Sequence, residues 1–277
     1  MKKMILIPDL HGRSFWKEAV ATAEADTRII FLGDYTDPYG FEKITGQEAL
    51  ANFVEVVDYA RNHSNVELLL GNHDCGYIFG KTICCCRRDH DRSSKIRLSF
   101  FDNIDLFKFC TDVSINGKKY IISHAGINHH WLTRHSDELF YHGKTSYNPS
   151  VICKRINAFF LHPDRSPGFN EELALAEVSR HRGGDDLFGS IVWADIDEFS
   201  GQHAHIPVNQ IVGHTLQVFW AFDENGYSIY YGGANIKKGQ GSTVYCIDTA
   251  EAYYLDEKGV LRYMKNDKAA EDQQEEY

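Results

Sequence analysis

Ile29-Ile30-Phe31-Leu32-Gly33-Asp34-Tyr35-Thr36-Asp37 joins four apolar residues directly to a Gly-Asp turn that carries two carboxylates. The run has the length and β-branched content of a buried strand, and the abrupt polar stretch marks where that strand stops. Upstream, Met4–Ile7 leads in the same way into Asp9-Leu10-His11-Gly12. A helix is expected between the two, around Arg13–Ala25. A second is expected near Gln47–Asn62, where Ala49, Leu50, Phe53, Val54, Val57 and Ala60 recur at helical spacing before the next strand, Val66–Leu70. Short apolar strands alternating with amphipathic helices imply a parallel sheet covered on both faces. Asp9 and Asp34 then fall at the carboxyl ends of neighbouring strands, where open α/β sheets place their sites.

Three further blocks follow apolar runs in the same manner. Gly71-Asn72-His73-Asp74 follows Val66–Leu70, Ser123-His124-Ala125-Gly126 follows Tyr120–Ile122, and Gly213-His214-Thr215 follows Gln210–Val212. From Ile191 the chain is strand-rich, with Ile191–Trp193, Leu216–Phe222, Tyr227–Tyr231, Thr243–Asp248 and Ala252–Leu255 as further candidates. Asp223-Glu224-Asn225-Gly226 reads as a hairpin turn. A second sheet packed on the first accounts for these strands. The expected domain spans residues 1–265, with a mainly helical insertion over the site at about 75–112 and a second, irregular one at about 140–186. A polar acidic tail occupies 266–277.

The chain has 277 residues, 43% apolar and 25% charged, enough for one large globular domain. A formal net charge of −10 argues against bulk nucleic-acid binding, which rewards clustered Lys and Arg. No run approaches the length of a membrane span, and the apolar stretch at Met4–Ile7 is too short for a secretory signal, so a cytoplasmic location is expected. Seven cysteines, three of them consecutive at Cys84, Cys85 and Cys86, form no C-x-x-C pair and read as free thiols.

As chemistry, the five blocks offer Asp9, His11, Asp34, Asn72, His124 and His214 as metal ligands. Oxygen and imidazole donors without thiolate suit manganese, iron, zinc and similar ions. Asp9 and His11, two apart on an extended strand end, project the same way and would hold one ion with Asp34. Asn72, His124 and His214 would hold the other, and the two oxygens of Asp34 can bridge both. Two such ions, about 3.5–4 Å apart, share a hydroxide and clamp a phosphate. Each block taken alone also reads as an ordinary turn, since Gly, Asn and Asp favour turns for backbone reasons. Their joint order and their strand-end positions point to metal.

Together the blocks resemble the calcineurin-like metallophosphoesterase superfamily, in particular its phosphoprotein phosphatase (serine/threonine phosphatase-like) branch of bacterial and phage type. The resemblance covers roughly Met4–Thr215. It implies an αββα four-layer sandwich of two mixed β-sheets flanked by helices. It also implies a metal-dependent phosphoesterase with two divalent cations, manganese first, with iron, zinc, nickel or magnesium as substitutes. By position, Asp9, His11 and Asp34 match the ligands of the first metal. Asp34, Asn72, His124 and His214 match those of the second. His73 matches the general acid and Asp37 the carboxylate that orients it. A neighbouring carboxylate raises a histidine's pKa and favours its acid form. Ile191–Asp195 resembles a Trp-Ser-Asp segment near the metals, which places Asp195 behind the ligands.

The implied reaction is hydrolysis of a phosphomonoester, on a phosphoprotein or a small molecule, by metal-bound hydroxide. Three features depart from the pattern, one of them Asp74, which follows Gly71-Asn72-His73 where Glu is commoner. Pro38 stands where the branch has a phosphate-gripping arginine after the second Asp of its Gly-Asp block, and Leu70 stands where another arginine is common. Arg13, Arg87, Arg88 and Arg92 are the candidate replacements, because a guanidinium fork binds phosphate well. A dinucleoside polyphosphate hydrolase is the alternative enzyme, with Phe100, Phe101, Phe107 and Phe109 available to stack a base. A catalytically silent metal-binding scaffold is the alternative of another class. His129, His130, His135, His203 and His205 read as surface or loop histidines.

Overall fold

In a computed structural model of the chain, residues 2–80, 87–140, 145–161, 173–223 and 226–264 are described, with backbone alone for 219–231. Cys84–Cys86, Glu224 and Asn225, Pro163 and Pro167, and the acidic tail lie outside these residues.

The first strands form where the apolar runs predict them: β1 (Lys2–Ile7), β2 (Arg28–Phe31) and β3 (Val66–Leu69). They pair in parallel, with Met4 opposite Arg28 and Ile29 opposite Val66. Their links are helical: α1 (Trp16–Ala21) between β1 and β2, and α2 (Gly46–Asn62) between β2 and β3. Thr45 and Glu48 close a reciprocal capping box that starts α2. The helix buries Ala49, Leu50, Phe53, Val56, Val57 and Ala60. Val54, expected on that face, is 42% exposed, and Val56 takes its place.

Alternation along each strand sorts side chains into two layers. Ile5, Ile7, Ile29, Phe31 and Leu68 share one core with Trp16, Phe53 and Val57 of the helices. Met4, Leu6, Ile30 and Leu69 pack instead with Val113, Tyr120, Ile122 and Ile211. Those partners belong to β5 (Cys110–Ile115), β6 (Lys118–Ser123) and β7 (Asn209–Val212) of a second sheet.

That sheet runs β10 (Asn235–Lys238), β11 (Thr243–Cys246), β7, β6, β5, with β6, β7 and β11 mutually parallel along the row. The first sheet gains β4 (Phe107–Lys108) on one side of β3. On the far side of β1 it gains β12 (Tyr253–Asp256) and β13 (Leu261–Tyr263). β8 (Val218–Asp223) and β9 (Gly226–Tyr231) form a separate hairpin, paired from Val218–Tyr231 to Asp223–Gly226. Besides that hairpin, the described strands form two mixed sheets flanked by helices, as the family resemblance implied.

Three expectations change. The stretch at 75–112 does contain helices, α3 (Asn72–Ile78) and α4 (Ser93–Phe101), but it ends in strands β4 and β5. Its Phe100, Phe107 and Phe109 are core residues packed around Phe53, Tyr35 and Phe160, not a surface for stacking a base; only Phe101 is exposed, at 44%. The second irregular stretch holds a core helix. Between α5 (His129–Arg134), α6 (Ser136–Phe140) and the strand-rich half, α7 (Pro149–Phe160) starts from an Asn148 cap with Pro at its first turn. It buries Ile152, Cys153, Ile156 and Phe160, and Asn157 ties it to the second sheet, accepting from Phe109 N at 2.7 Å and donating to Cys110 O at 2.8 Å. Finally, Ile191–Trp193 is a buried turn, not a strand. Its polar backbone is met locally: Ala125 N donates to Ile191 O at 3.0 Å and Trp193 N to Ser190 O at 2.9 Å.

Candidate metal and catalytic centre

All five polar blocks lie at the carboxyl ends of β1, β2, β3, β6 and β7, so both sheets deliver side chains to one buried centre. The backbone there is bent tightly. His11, Asp34, Asp37 and His214 adopt left-handed φ values of 45, 52, 60 and 66°, a conformation that non-glycine residues hold only when their surroundings enforce it. The enforcement is visible: His11 N donates to Asp34 O at 2.7 Å, Gly12 N to Tyr35 O at 3.0 Å, and Gly213 N to His124 O at 2.7 Å. Gly71 and Gly213 permit the close approach, because a Cβ at the first would overlap Asp34 Oδ1 and the His124 ring, and at the second Asp9 Oδ2.

Ring tautomers follow from the partners. Carbonyl oxygens only accept, so His11 Nδ1 donates to Thr36 O (3.0 Å) and His124 Nδ1 to Leu32 O (2.9 Å). Each Nε2 therefore presents a lone pair inward, the arrangement that orients metal-binding imidazoles. Both point at one atom, Asp34 Oδ2, which stands 3.6 Å from His11 Nε2 and 3.6 Å from His124 Nε2. His124 Nε2 also lies 3.1 Å from His214 Nδ1 and 3.0 Å from Asn72 Oδ1. Donor atoms about 2.1 Å from a common ion stand roughly 3–3.5 Å apart, so this convergence has the spacing of ligands around a cation. Two groups, His11–Asp34–His73 and Asp34–His124–His214, bring their ligand atoms within 4.8 Å of one another and could hold a metal. Asp9 joins neither group. Its carboxylate accepts from His214 N at 2.9 and 3.1 Å and faces His124 Nδ1 at 3.8 Å.

Electrostatics agree with this reading. Burial works against Asp34 ionising, but His124, His73 and His11 outweigh it and hold its pKa at about 2. Burial pushes Asp9 up to about 6 despite the pull of His124. Burial also drives His11 and His214 well below the ordinary histidine value, leaving them neutral, the form that binds metal.

Beside this centre, His73 Nδ1 donates to Asp37 Oδ2 at 2.8 Å, and the second oxygen of Asp37 accepts from the Tyr77 hydroxyl and from Asp89 N. The other ring nitrogen of His73 faces Arg87 Nη2 at 3.5 Å. Arg87 stacks on Tyr39, with its guanidinium carbon 3.9 Å from the ring centroid.

Residues 2–218 match the calcineurin-like phosphoesterase family. The chain belongs to this family. It is a metal-dependent phosphoesterase, and its family implies divalent metal ions. Among solved structures it is similar to a hypothetical protein of Pyrococcus horikoshii (9% identity, covering 100% of this chain and 94% of that one, TM-score 0.39). It is also similar to a serine/threonine phosphatase of Saccharomyces cerevisiae described as resembling human phosphatase PP5 (16% identity, 91% and 72% covered, TM-score 0.42). A third is a phosphopantetheinyl hydrolase of Mycobacterium tuberculosis (10% identity, 90% of each chain covered, TM-score 0.31). No significant match was found among curated proteins.

The remaining candidates of this phosphoesterase fall in different places. Arg13 is buried, its Nε on Glu42 at 2.7 Å and its Nη1 on the Asp9 carbonyl at 2.9 Å. Arg88 reaches Ser93 Oγ at 3.0 Å and lies over Tyr77, and Arg92 is engaged by Asp89 and Gln47. Asp195 accepts from Arg182 at 3.4 Å and caps the 3-10 turn at Ile196–Ser200. His129, His130, His203 and His205 line one surface cleft of about 420 Å³ with Tyr147, while His135 pairs with Glu177.

Sequence reasoning passed over Asp74, which accepts from the amides of Asp34 (2.8 Å), Gly71 (2.8 Å) and Tyr35 (3.1 Å). It also passed over Arg182, whose Nη2 donates to His214 O at 3.3 Å. Asp74 was visible only as a turn former and as a departure from the family's commoner Glu, and Arg182 sits in a basic run with no periodic signal.

Proposed function

We propose that this phosphoesterase hydrolyses phosphomonoesters at a two-metal centre, with Asp34 shared between the ions. Asp9 and His11 would complete one ion's ligands, and Asn72, His124 and His214 the other's. The observation that carries this reading is the placing of Asp34 Oδ2 midway between two inward-facing imidazole nitrogens. Bound there, two divalent ions, manganese first, would activate water and neutralise phosphate charge.

The chain's own groups then divide the remaining work. Asp37 fixes the His73 ring through Nδ1 and leaves its other nitrogen, on the Arg87 side, to protonate the leaving oxygen. Arg87, beside that nitrogen and braced on Tyr39, supplies a guanidinium for the phosphoryl oxygens. Arg182, held by the His214 carbonyl and Asp195, offers a second cation on the opposite ligand. A phosphoprotein or a small phosphomonoester is the substrate class. Three of the four Phe residues that would favour a dinucleotide, Phe100, Phe107 and Phe109, are in the core, leaving Phe101 alone exposed.

A panel of phosphopeptides, p-nitrophenyl phosphate, bis-p-nitrophenyl phosphate and diadenosine tetraphosphate, each with added Mn²⁺, tests the reading. Turnover of the monoesters above the others is expected. Turnover of the diester or the tetraphosphate alone overturns the monoester assignment, and no turnover of any substrate by metal-loaded protein returns the scaffold reading.

A further inference from the structure

Asp248 is wholly buried, at 0% exposure, and neither of its carboxylate oxygens has a hydrogen-bond partner among the described residues. It follows β11, the strand parallel to β7. Ile247 N donates to Val212 O at 2.8 Å and Gln217 N to Asp248 O at 2.8 Å, so its backbone is locked beside the Gly213–Gln217 segment that carries His214. It therefore stands just past the carboxyl end of β11, beside the end of β7 that carries His214. The charged groups that act on it most are Asp9, Arg13, Asp34 and Arg182. A buried carboxylate without a partner is costly and must either take a proton or face a cation. On the adjoining strand end, His214 Nε2 is likewise buried without a partner.

We propose that Asp248 is a further anionic ligand of the metal centre, holding a divalent cation on the Asp9 side either directly or through one of that ion's waters. The inference rests on the two-metal reading and adds a residue that none of the five sequence blocks contains. It gives the Asp9 side a third carboxylate beside Asp9, which is already engaged by the His214 amide, and the shared Asp34.

The test uses the full chain stripped of metal, as the parent and as Asp248→Asn, titrated with Mn²⁺ by calorimetry and melted with and without Mn²⁺. One of the two manganese affinities is expected to weaken by about 10- to 100-fold in the variant, the range seen when groups supporting a metal site are removed. The manganese-induced rise in melting temperature should shrink. The metal-free variant should melt no lower than the metal-free parent, because Asn is an uncharged isostere of a carboxyl that has no hydrogen bond to lose. Equal affinities and an equal rise would show that Asp248 is only a buried protonated acid and overturn the proposal. A parent that takes up no manganese would instead sink the two-metal reading itself. If the variant does not fold, crystals of the parent grown with Mn²⁺ decide. A carboxylate oxygen about 2.0–2.2 Å from an ion, or bonded to its water, supports the proposal, and a carboxyl turned away from both overturns it.

Discussion

His73 and Asp74 are adjacent in sequence yet perform separable tasks, and substitution should separate them. Exchanging His73 for Asn removes the proposed proton donor but none of the proposed ligands. Turnover should fall about 10²- to 10⁴-fold, with metal content by mass spectrometry unchanged. Loss of metal instead would move His73 among the ligands, a place the His11–Asp34–His73 grouping leaves open. Asp74→Ala strips the acceptor from three buried amides. Its cost should be about 3 kcal/mol in denaturant titration, since orphaned buried donors cost roughly 1–3 kcal/mol each and part of that is recovered by relaxation. At this scale sequence pattern and geometry agree unevenly. Asp34, His124 and His214 were legible because strand periodicity put them at strand ends. Asp74, Arg182 and Asp248 were not, because nothing in their local spacing distinguishes a turn former, a surface base or a strand-end acid from a working group.

Among the elements, α2 and β3 show how patterning was read and misread. A 3.6-residue period identifies the helix but leaves its orientation to packing, so Val54 and Val56 exchanged roles. Replacing Phe53 with Ala, at the centre of contacts with Tyr35, Phe100 and Phe107, should cost about 3–5 kcal/mol. The Ile191–Trp193 turn was read as a strand because burial alone produces an apolar run, and a hydrogen-bonded buried loop leaves the same trace. In β3, Glu67 lies between Arg28 and Lys108, bonded to Lys108 Nζ at 2.8 Å. Burial would raise its pKa, but Lys108 and Arg28 outweigh burial and lower it. The unfolded chain therefore binds this proton first, and stability present at neutral pH should be lost as pH falls below the ordinary glutamate range. Glu67→Gln should flatten the acid limb of a stability–pH curve; an unchanged limb would assign the acid loss elsewhere.

Across the whole molecule, the proposed ligands come from both sheets, so bound metal would act as a staple between layers that also meet through Met4, Leu6, Ile30 and Ile122. Saturating Mn²⁺, at about 100 times its dissociation constant, should add roughly 2.7 kcal/mol per site and raise the melting temperature by several degrees. Chelation should reverse the rise, and a melting curve indifferent to both would mean that the sheets do not share an ion. The first sheet was legible from strand–helix alternation and the second from the strand-rich half, while two mixed sheets between helices were what the family resemblance implied. The return of β12 to pair with β1, Leu6 opposite Tyr253, was not, because no local pattern announces a pairing across nearly the whole chain. That pairing, together with His214, bears on biogenesis. A polypeptide leaving the ribosome would expose Asp9, His11 and Asp34 long before the partners that enclose them exist, so the proposed ion capture would belong to the last stage of synthesis.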